Sequence, residues 1–253
     1  MSRQARRYTH KEKVQGLAID KPTEKHKWVE DRVERSKITV VAKTQNQKLM
    51  IQSVERNTVT IASGSAGTGK SLVACYLAAN ALLGGEVQKI VITRPYVALA
   101  NRTTGFKPST DLEKLRGFLL PMLGYLGDVL GKGMVEMQIG QADGKVELAP
   151  LESLRGRSFD NSIIICDESQ GLLPAEVQAL VTRLGENSRI IFCGDAMQRD
   201  VREDQCGLLY LERIIQKYNI PNCGIIKFTT DDVVRSGICK EFVIAFDREI
   251  TGD

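Results

Sequence analysis

Histidine is nearly missing from this sequence: His10 and His26 are the only two in 253 residues. Both stand alone in a polar segment, which argues against a metal centre built on histidine nitrogens. The six cysteines, Cys75, Cys166, Cys193, Cys206, Cys223 and Cys239, show no C-x-x-C spacing and mostly lie inside apolar stretches. They read as small core residues in a reducing compartment rather than as a disulfide framework. No apolar run approaches the ~20 residues of a membrane-spanning helix. The N-terminal MSRQARRYTHKEKV has no apolar segment behind its charges, so it does not read as a secretory signal. No internal repeat is present. These absences lead to the expectation of a cytoplasmic protein that meets no membrane.

What is present is a chain of ordinary composition, long enough to bury one sizeable core. Its net charge of +4 is unevenly spread. Residues 1–43 hold twelve Lys and Arg against six Asp and Glu, which leaves the remainder slightly acidic. A basic extension on a near-neutral body suits an accessory contact with nucleic acid or another acidic partner; a solvated tail is the equal alternative. Domain boundaries are accordingly expected at 1–43 and 44–253. A short strand is expected over Lys37–Ala42. From Thr44 onward, apolar strand segments alternate with helical patterns, which predicts a parallel sheet covered by helices. The strands are Val59–Ser63, Ile90–Thr93, Ile163–Cys166, Ile190–Cys193 and Gly224–Phe228. The helices are Gln47–Glu55, Lys70–Leu83, Leu112–Leu130, Pro174–Leu184 and Leu208–Tyr218.

The segment Gly64-Ser65-Ala66-Gly67-Thr68-Gly69-Lys70-Ser71 matches G-x-x-x-x-G-K-[ST] in full, between a strand and a helix. Glycines let backbone N–H groups wrap phosphates, and the helix N-terminus adds a favourable dipole. Lys70 is expected to reach the β- and γ-phosphates and the Ser71 hydroxyl to ligate Mg²⁺. About a hundred residues later, the strand Ile163–Cys166 ends in Asp167-Glu168. Strand C-termini in open α/β sheets face the ligand crevice, so Asp167 is placed to hold the metal and Glu168 to activate water. A water-activating acid is of no use to a small-molecule kinase, and the chain has no N/T-K-x-D element for reading guanine. ATP hydrolysis is therefore favoured over both.

The strand Ile190–Cys193 leads into Gly194-Asp195-Ala196-Met197-Gln198, where Gln198 is placed to touch the γ-phosphate or its water. Arg94 ends another strand and is a candidate contact to nucleic acid or phosphate. Arg235, in Asp232-Val233-Val234-Arg235-Ser236, is either a transition-state arginine or a surface charge at a helix start.

From about Gln47 to Phe246 the chain resembles the PhoH-like ATPases, relatives of superfamily-one helicases. The resemblance rests on GSAGTGKS, VITRPYVALA, GFKPSTDLEKL, VELAPLESLRGRSF, IIICDESQ, IIFCGDAMQRD and DDVVRSG, in that order. It departs where the family's FLPG is Phe106-Lys107-Pro108-Ser109 and its DEAQN is DESQG. The resemblance implies a RecA-like P-loop NTPase fold in the α/β class, and RGR-type and DEAQ-type stretches flanking the nucleotide. It also implies a glutamine ahead of the P-loop that reads adenine, the place Gln47 occupies, and a γ-phosphate role for Arg235. The stretch after Gln198 is too short for a second motor domain. The resemblance therefore further implies a homo-oligomeric ring, such as a hexamer, in which Arg235 serves a neighbour's ATP. The expected function is Mg²⁺-dependent conversion of ATP to ADP and phosphate, coupled to single-stranded nucleic acid, RNA ahead of DNA. The alternatives are a nucleotide-gated binding protein with little turnover and, third, a small-molecule kinase.

Overall fold

The computed structural model describes residues 38–95, 111–139, 141, 143–198, 202–235 and 237–251. Most of the expected basic extension, both histidines and the FKPS segment lie outside the described residues. In chain order the elements are α1 Gln45–Arg56, β1 Val59–Gly64, α2 Lys70–Leu83, β2 Lys89–Thr93, α3 Asp111–Leu130, α4 Lys132–Gln138 and β3 Val146–Leu148. They continue with α5 Leu151–Leu154, β4 Ser162–Cys166, α6 Pro174–Val181, β5 Arg189–Gly194, α7 Gly207–Tyr218, β6 Cys223–Phe228 and α8 Ile238–Thr251.

The six strands form one sheet in the order β3-β2-β4-β5-β1-β6, with every pairing parallel. The central strands are apolar along their length because helices cover both faces. Side chains alternate across the sheet. Ala62, Ile90, Ile92, Ile163, Ile165, Ile191 and Cys193 pack with α1 to α4 on one face. Ile61, Val91, Ile164, Cys166, Ile190 and Phe192 pack with α5 to α7 on the other. The fold is the expected α/β, RecA-like one. Its register pairs Ser63 with Gly194 and Thr93 with Cys166. The loops after β1, β2, β4 and β5 therefore leave the sheet along the same edge.

The expected strand at Lys37–Ala42 is not formed over residues 38–42. The Ile38 carbonyl accepts a hydrogen bond from Asn80 Nδ2 of α2 at 2.8 Å, and Val40 packs on the helical layer, so this backbone lies against a helix rather than a sheet edge. Helix α6 stops at Val181, short of the expected Leu184, where the Thr182 hydroxyl bonds back to the Gln178 carbonyl. The edge strand β3 has no counterpart among the expected elements. Three residues are too few to show a period, and its Glu147 is held by Arg157 at 2.6 and 3.0 Å and by Lys89 at 3.3 Å. No single helix among the described residues is long and apolar enough to cross a membrane.

Candidate active site

The phosphate loop runs from the end of β1 into α2, and three glycines in it have positive φ. At Gly64 (φ 124°) a Cβ would fall 1.9 Å from the Phe228 carbonyl oxygen, because β6 passes directly alongside. Gly69 (φ 84°) caps α2, and a Cβ there would lie 2.9 Å from Gln47 Nε2. Only glycine accepts both the backbone conformation and the close approach. The Lys70 ammonium donates to the Gly64 carbonyl at 2.6 Å, the Ser65 carbonyl at 2.8 Å and Thr68 Oγ1 at 3.2 Å. Burial lowers its pKa, and the acidic groups at Asp195, Glu168 and Asp167 act in the opposite direction. Thr68 Oγ1 in turn donates to the Ser65 carbonyl.

Across from this loop, Ser71 Oγ donates to Asp167 Oδ1 at 2.7 Å, joining the start of α2 to the end of β4. Burial raises the Asp167 carboxyl pKa, with the Ser71 hydrogen bond and the charge of Arg94 opposing. A serine hydroxyl and one carboxylate are hard oxygen donors that fit Mg²⁺, which keeps waters and phosphate oxygens and needs few protein ligands. No group of three His, Cys, Asp or Glu gathers as a metal site among the described residues.

Glu168 follows with a left-handed backbone (φ 51°), which turns the chain sharply out of the strand. Its Oε2 accepts from Gln170 Nε2 at 2.6 Å. Gln198 lies in the single turn Ala196–Gln198 after β5, and its backbone N–H donates to the Asp195 carbonyl. Asp195 is itself buried, which raises its pKa, while the Met197 N–H bonded to it pulls the other way.

A cavity of about 460 Å³ brings these groups together. Ala66, Gly67, Thr68, Gly69, Lys70, Ser71, Asp167, Glu168, Gln198, Arg94 and Arg235 all line it. Gly64 and Ser65 do not line it; their carbonyls receive the Lys70 ammonium. Arg235 lies beside the phosphate loop of its own chain: Val234 N–H donates to the Gly67 carbonyl at 3.2 Å, and a Cβ on Gly67 would lie 3.2 Å from Arg235 Cδ and Nε. Arg94 lies over the Phe118 ring at 5.3 Å, in the same cavity as the metal-ligand candidates.

Two sequence-derived positions stand elsewhere. Gln47 is buried behind the loop, with Nε2 donating to the Thr68 carbonyl at 2.9 Å and Oε1 accepting from Lys43 N–H at 2.7 Å. Arg157, in the RGR stretch, forms its ion pair with Glu147 and does not line the cavity. Conversely, Phe118, Pro121, Met122 and Tyr125 of α3 form an apolar wall of the cavity that no motif in the sequence singles out. The available signal is Pro121 inside a helical pattern, a residue that breaks the helical hydrogen-bond ladder and so marks a special place in it.

The family model described as PhoH-like protein matches residues 39–247. Protein PhoH of Escherichia coli strain K12 is 33% identical over 217 residues, covering 85% of this chain and 60% of that protein. A PhoH-like protein of Bacillus subtilis strain 168 is 34% identical over 212 residues, covering 83% of this chain and 65% of the relative. The chain thus spans less than two thirds of the length of either. Among solved structures it is similar to the large terminase of a thermophilic bacteriophage, with TM-score 0.47 and 14% identity over 81% of this chain and 50% of that one. It is also similar to the Pif1 helicase from Candida albicans, with TM-score 0.43 and 16% identity over 85% and 45%. Because the family match starts ahead of α1, ends within α8 and takes in every strand of the sheet, the chain belongs to the PhoH-like protein family.

Proposed function

We propose that this chain hydrolyses ATP to ADP and phosphate and uses the reaction on single-stranded nucleic acid. The observation that carries the first half is the convergence of Lys70, Ser71, Asp167 and Glu168 on one cavity from two strands distant in sequence. The glycine-rich loop and Lys70 bind the β- and γ-phosphates. Ser71 and Asp167 would hold Mg²⁺, which neutralises charge on the phosphate oxygens when bound. Glu168 takes a proton from water as the water oxygen bonds to the γ-phosphorus, and the bond from that phosphorus to the ADP oxygen breaks. Gln198 orients the attacking water, and Arg235 offsets the charge that develops on the γ-phosphoryl group.

The packing of Arg235 against Gly67 of its own chain favours action in cis. A ring in which it serves a neighbour is the competing arrangement. The two hydrogen bonds of the Gln47 carboxamide favour support of the phosphate loop over reading of the base. For contact with single-stranded nucleic acid, RNA or DNA, the supporting feature is the Arg94–Phe118 pair at the cavity wall, a cation beside an aromatic face.

Phosphate release is the test. The wild-type chain with ATP and Mg²⁺ should release phosphate, and Glu168→Gln should bind ATP but lose turnover by orders of magnitude. Single-stranded RNA or DNA oligonucleotides should raise the wild-type rate. Full turnover in Glu168→Gln would remove Glu168 as the base, and a rate indifferent to both polymers would favour a nucleotide-gated binding protein.

A further inference from the structure

Gln170 lies two residues past the catalytic glutamate and does not line the cavity, yet its carboxamide is among the most constrained groups near it. The residue is 6% exposed. Nε2 donates to Glu168 Oε2 at 2.6 Å, and Oε1 accepts the Asp195 backbone N–H at 3.0 Å. Only one orientation of the amide satisfies both partners. A carboxylate can only accept and a backbone N–H can only donate, so a flipped amide would face oxygen to oxygen and N–H to N–H.

The surroundings are shaped around this bridge. A Cβ on Gly194 would lie 2.8 Å from Gln170 Oε1 and 2.9 Å from Ser169 Oγ, so the end of β5 admits the carboxamide only as glycine. The Ser169 hydroxyl donates to the Cys193 carbonyl at 2.8 Å, and the Gln170 carbonyl accepts from Cys206 Sγ at 3.4 Å. The turn that follows β4 is thereby fastened to β5 and to the start of α7. Glu168 itself has a left-handed backbone, a conformation that a non-glycine residue keeps only where its surroundings hold it. On the other side of the bridge, Asp195 begins the turn that ends in Gln198: its carbonyl accepts the Gln198 N–H at 2.9 Å and its carboxylate the Met197 N–H at 3.1 Å.

We infer that Gln170 is a positioning residue that sets the Glu168 carboxylate and the Gln198 turn in one fixed relation, so that the base and the residue facing the γ-phosphate align on the same water. This rests on the hydrolysis reading above. Gln170 touches no reacting atom; it acts through the one oxygen of Glu168 that it holds, leaving the other oxygen to take the proton.

Gln170→Glu separates this role from packing. It keeps the side-chain length and the oxygen that accepts Asp195 N–H, but replaces the donor facing Glu168 with a second carboxylate oxygen. The expected result is a nucleotide affinity within about twofold of wild type by fluorescent-ATP titration, with single-turnover phosphate release slowed roughly 10- to 100-fold, the scale of a small misplacement of a catalytic group. On a Glu168→Gln background the same substitution adds no further loss, because the group it positions is already gone. A role confined to holding the loops would instead lower the rate by the same factor in both backgrounds. Gln170→Ala, which introduces no charge, gives the second reading: turnover falls while nucleotide affinity is kept.

Wild-type turnover in Gln170→Glu, additive losses in the double variant, or an affinity loss in Gln170→Ala equal to its loss of turnover would each overturn the inference. Wild-type turnover in Glu168→Gln alone would remove Glu168 as the base, and the inference with it, whereas no phosphate release from the wild-type chain would overturn the hydrolysis reading itself.

Discussion

Asp167→Asn should make the protein more stable at neutral pH while abolishing its turnover. The substitution changes little in shape: Asn keeps an oxygen where Asp167 Oδ1 accepts from Ser71 Oγ at 2.7 Å. What it removes is a charge that its surroundings disfavour. Burial raises the carboxyl pKa, and the opposing help from Ser71 and Arg94 does not cancel that effect. A carboxyl whose pKa is higher in the folded chain than in the unfolded one binds protons more tightly when folded. Stability therefore falls as pH rises from the ordinary carboxylate range through the raised value, and the deficit persists above it. Neutralising the group relieves that deficit. Single stabilising substitutions are commonly worth about 1 kcal/mol, which is roughly 2–4 °C in Tm for a chain of this size. The assay is thermal unfolding of wild type and variant from pH 4 to 8, in buffer without divalent metal. The gain should be largest at the neutral end and shrink toward the acidic end, where wild-type Asp167 is protonated as well. A variant less stable than wild type at pH 7 would refute the reasoning, because the anion would then be held favourably by Ser71, Arg94 and Lys70. Retained phosphate release would separately refute the metal-ligand role.

Gln47→Ala should weaken ATP and GTP binding together, because it loosens the loop at Thr68; equilibrium titration with both nucleotides checks this, and an effect confined to ATP would return Gln47 to the base. Arg235→Ala should keep nucleotide affinity and lower turnover by ~10³-fold. Mixing it with Lys70→Ala chains should restore no activity if Arg235 acts in cis, whereas recovered phosphate release in a demonstrated co-assembly would establish action across subunits. Removing residues 1–35 should leave ATP binding intact and reduce the salt dependence of oligonucleotide binding. The slope should fall by about 0.7–0.9 for each phosphate that the segment no longer neutralises; identical slopes would reduce the segment to a solvated tail.

The elements legible in the sequence are those whose signal is local. The strand Ile163–Cys166 is a run of apolar residues because both faces of β4 are covered, and the eight residues from Gly64 to Ser71 announce the phosphate loop because its backbone bends require glycine in place. Helix α2 begins and ends where its pattern says it should. From these alone the α/β class follows, as does the edge of the sheet at which Lys70, Ser71, Asp167 and Glu168 meet. Other features depend on partners far along the chain. Strand β3 exists because β2 offers it an edge and Lys89 and Arg157 hold its glutamate. Helix α8 leaves Ile238, Phe242 and Phe246 exposed and only half-buries Val243 and Ile244, so its apolar residues do not mark a single core-facing side. In the sequence, Gln47 stands where the family resemblance places an adenine reader and Gln170 closes the IIICDESQ stretch. That one underlies the phosphate loop and the other joins Glu168 to Asp195 is decided by tertiary structure, since each hydrogen bond forms only after the sheet has brought separate loops to one edge. Periodicity records which way a side chain faces its own element; it carries no record of which atom from another element will meet it there.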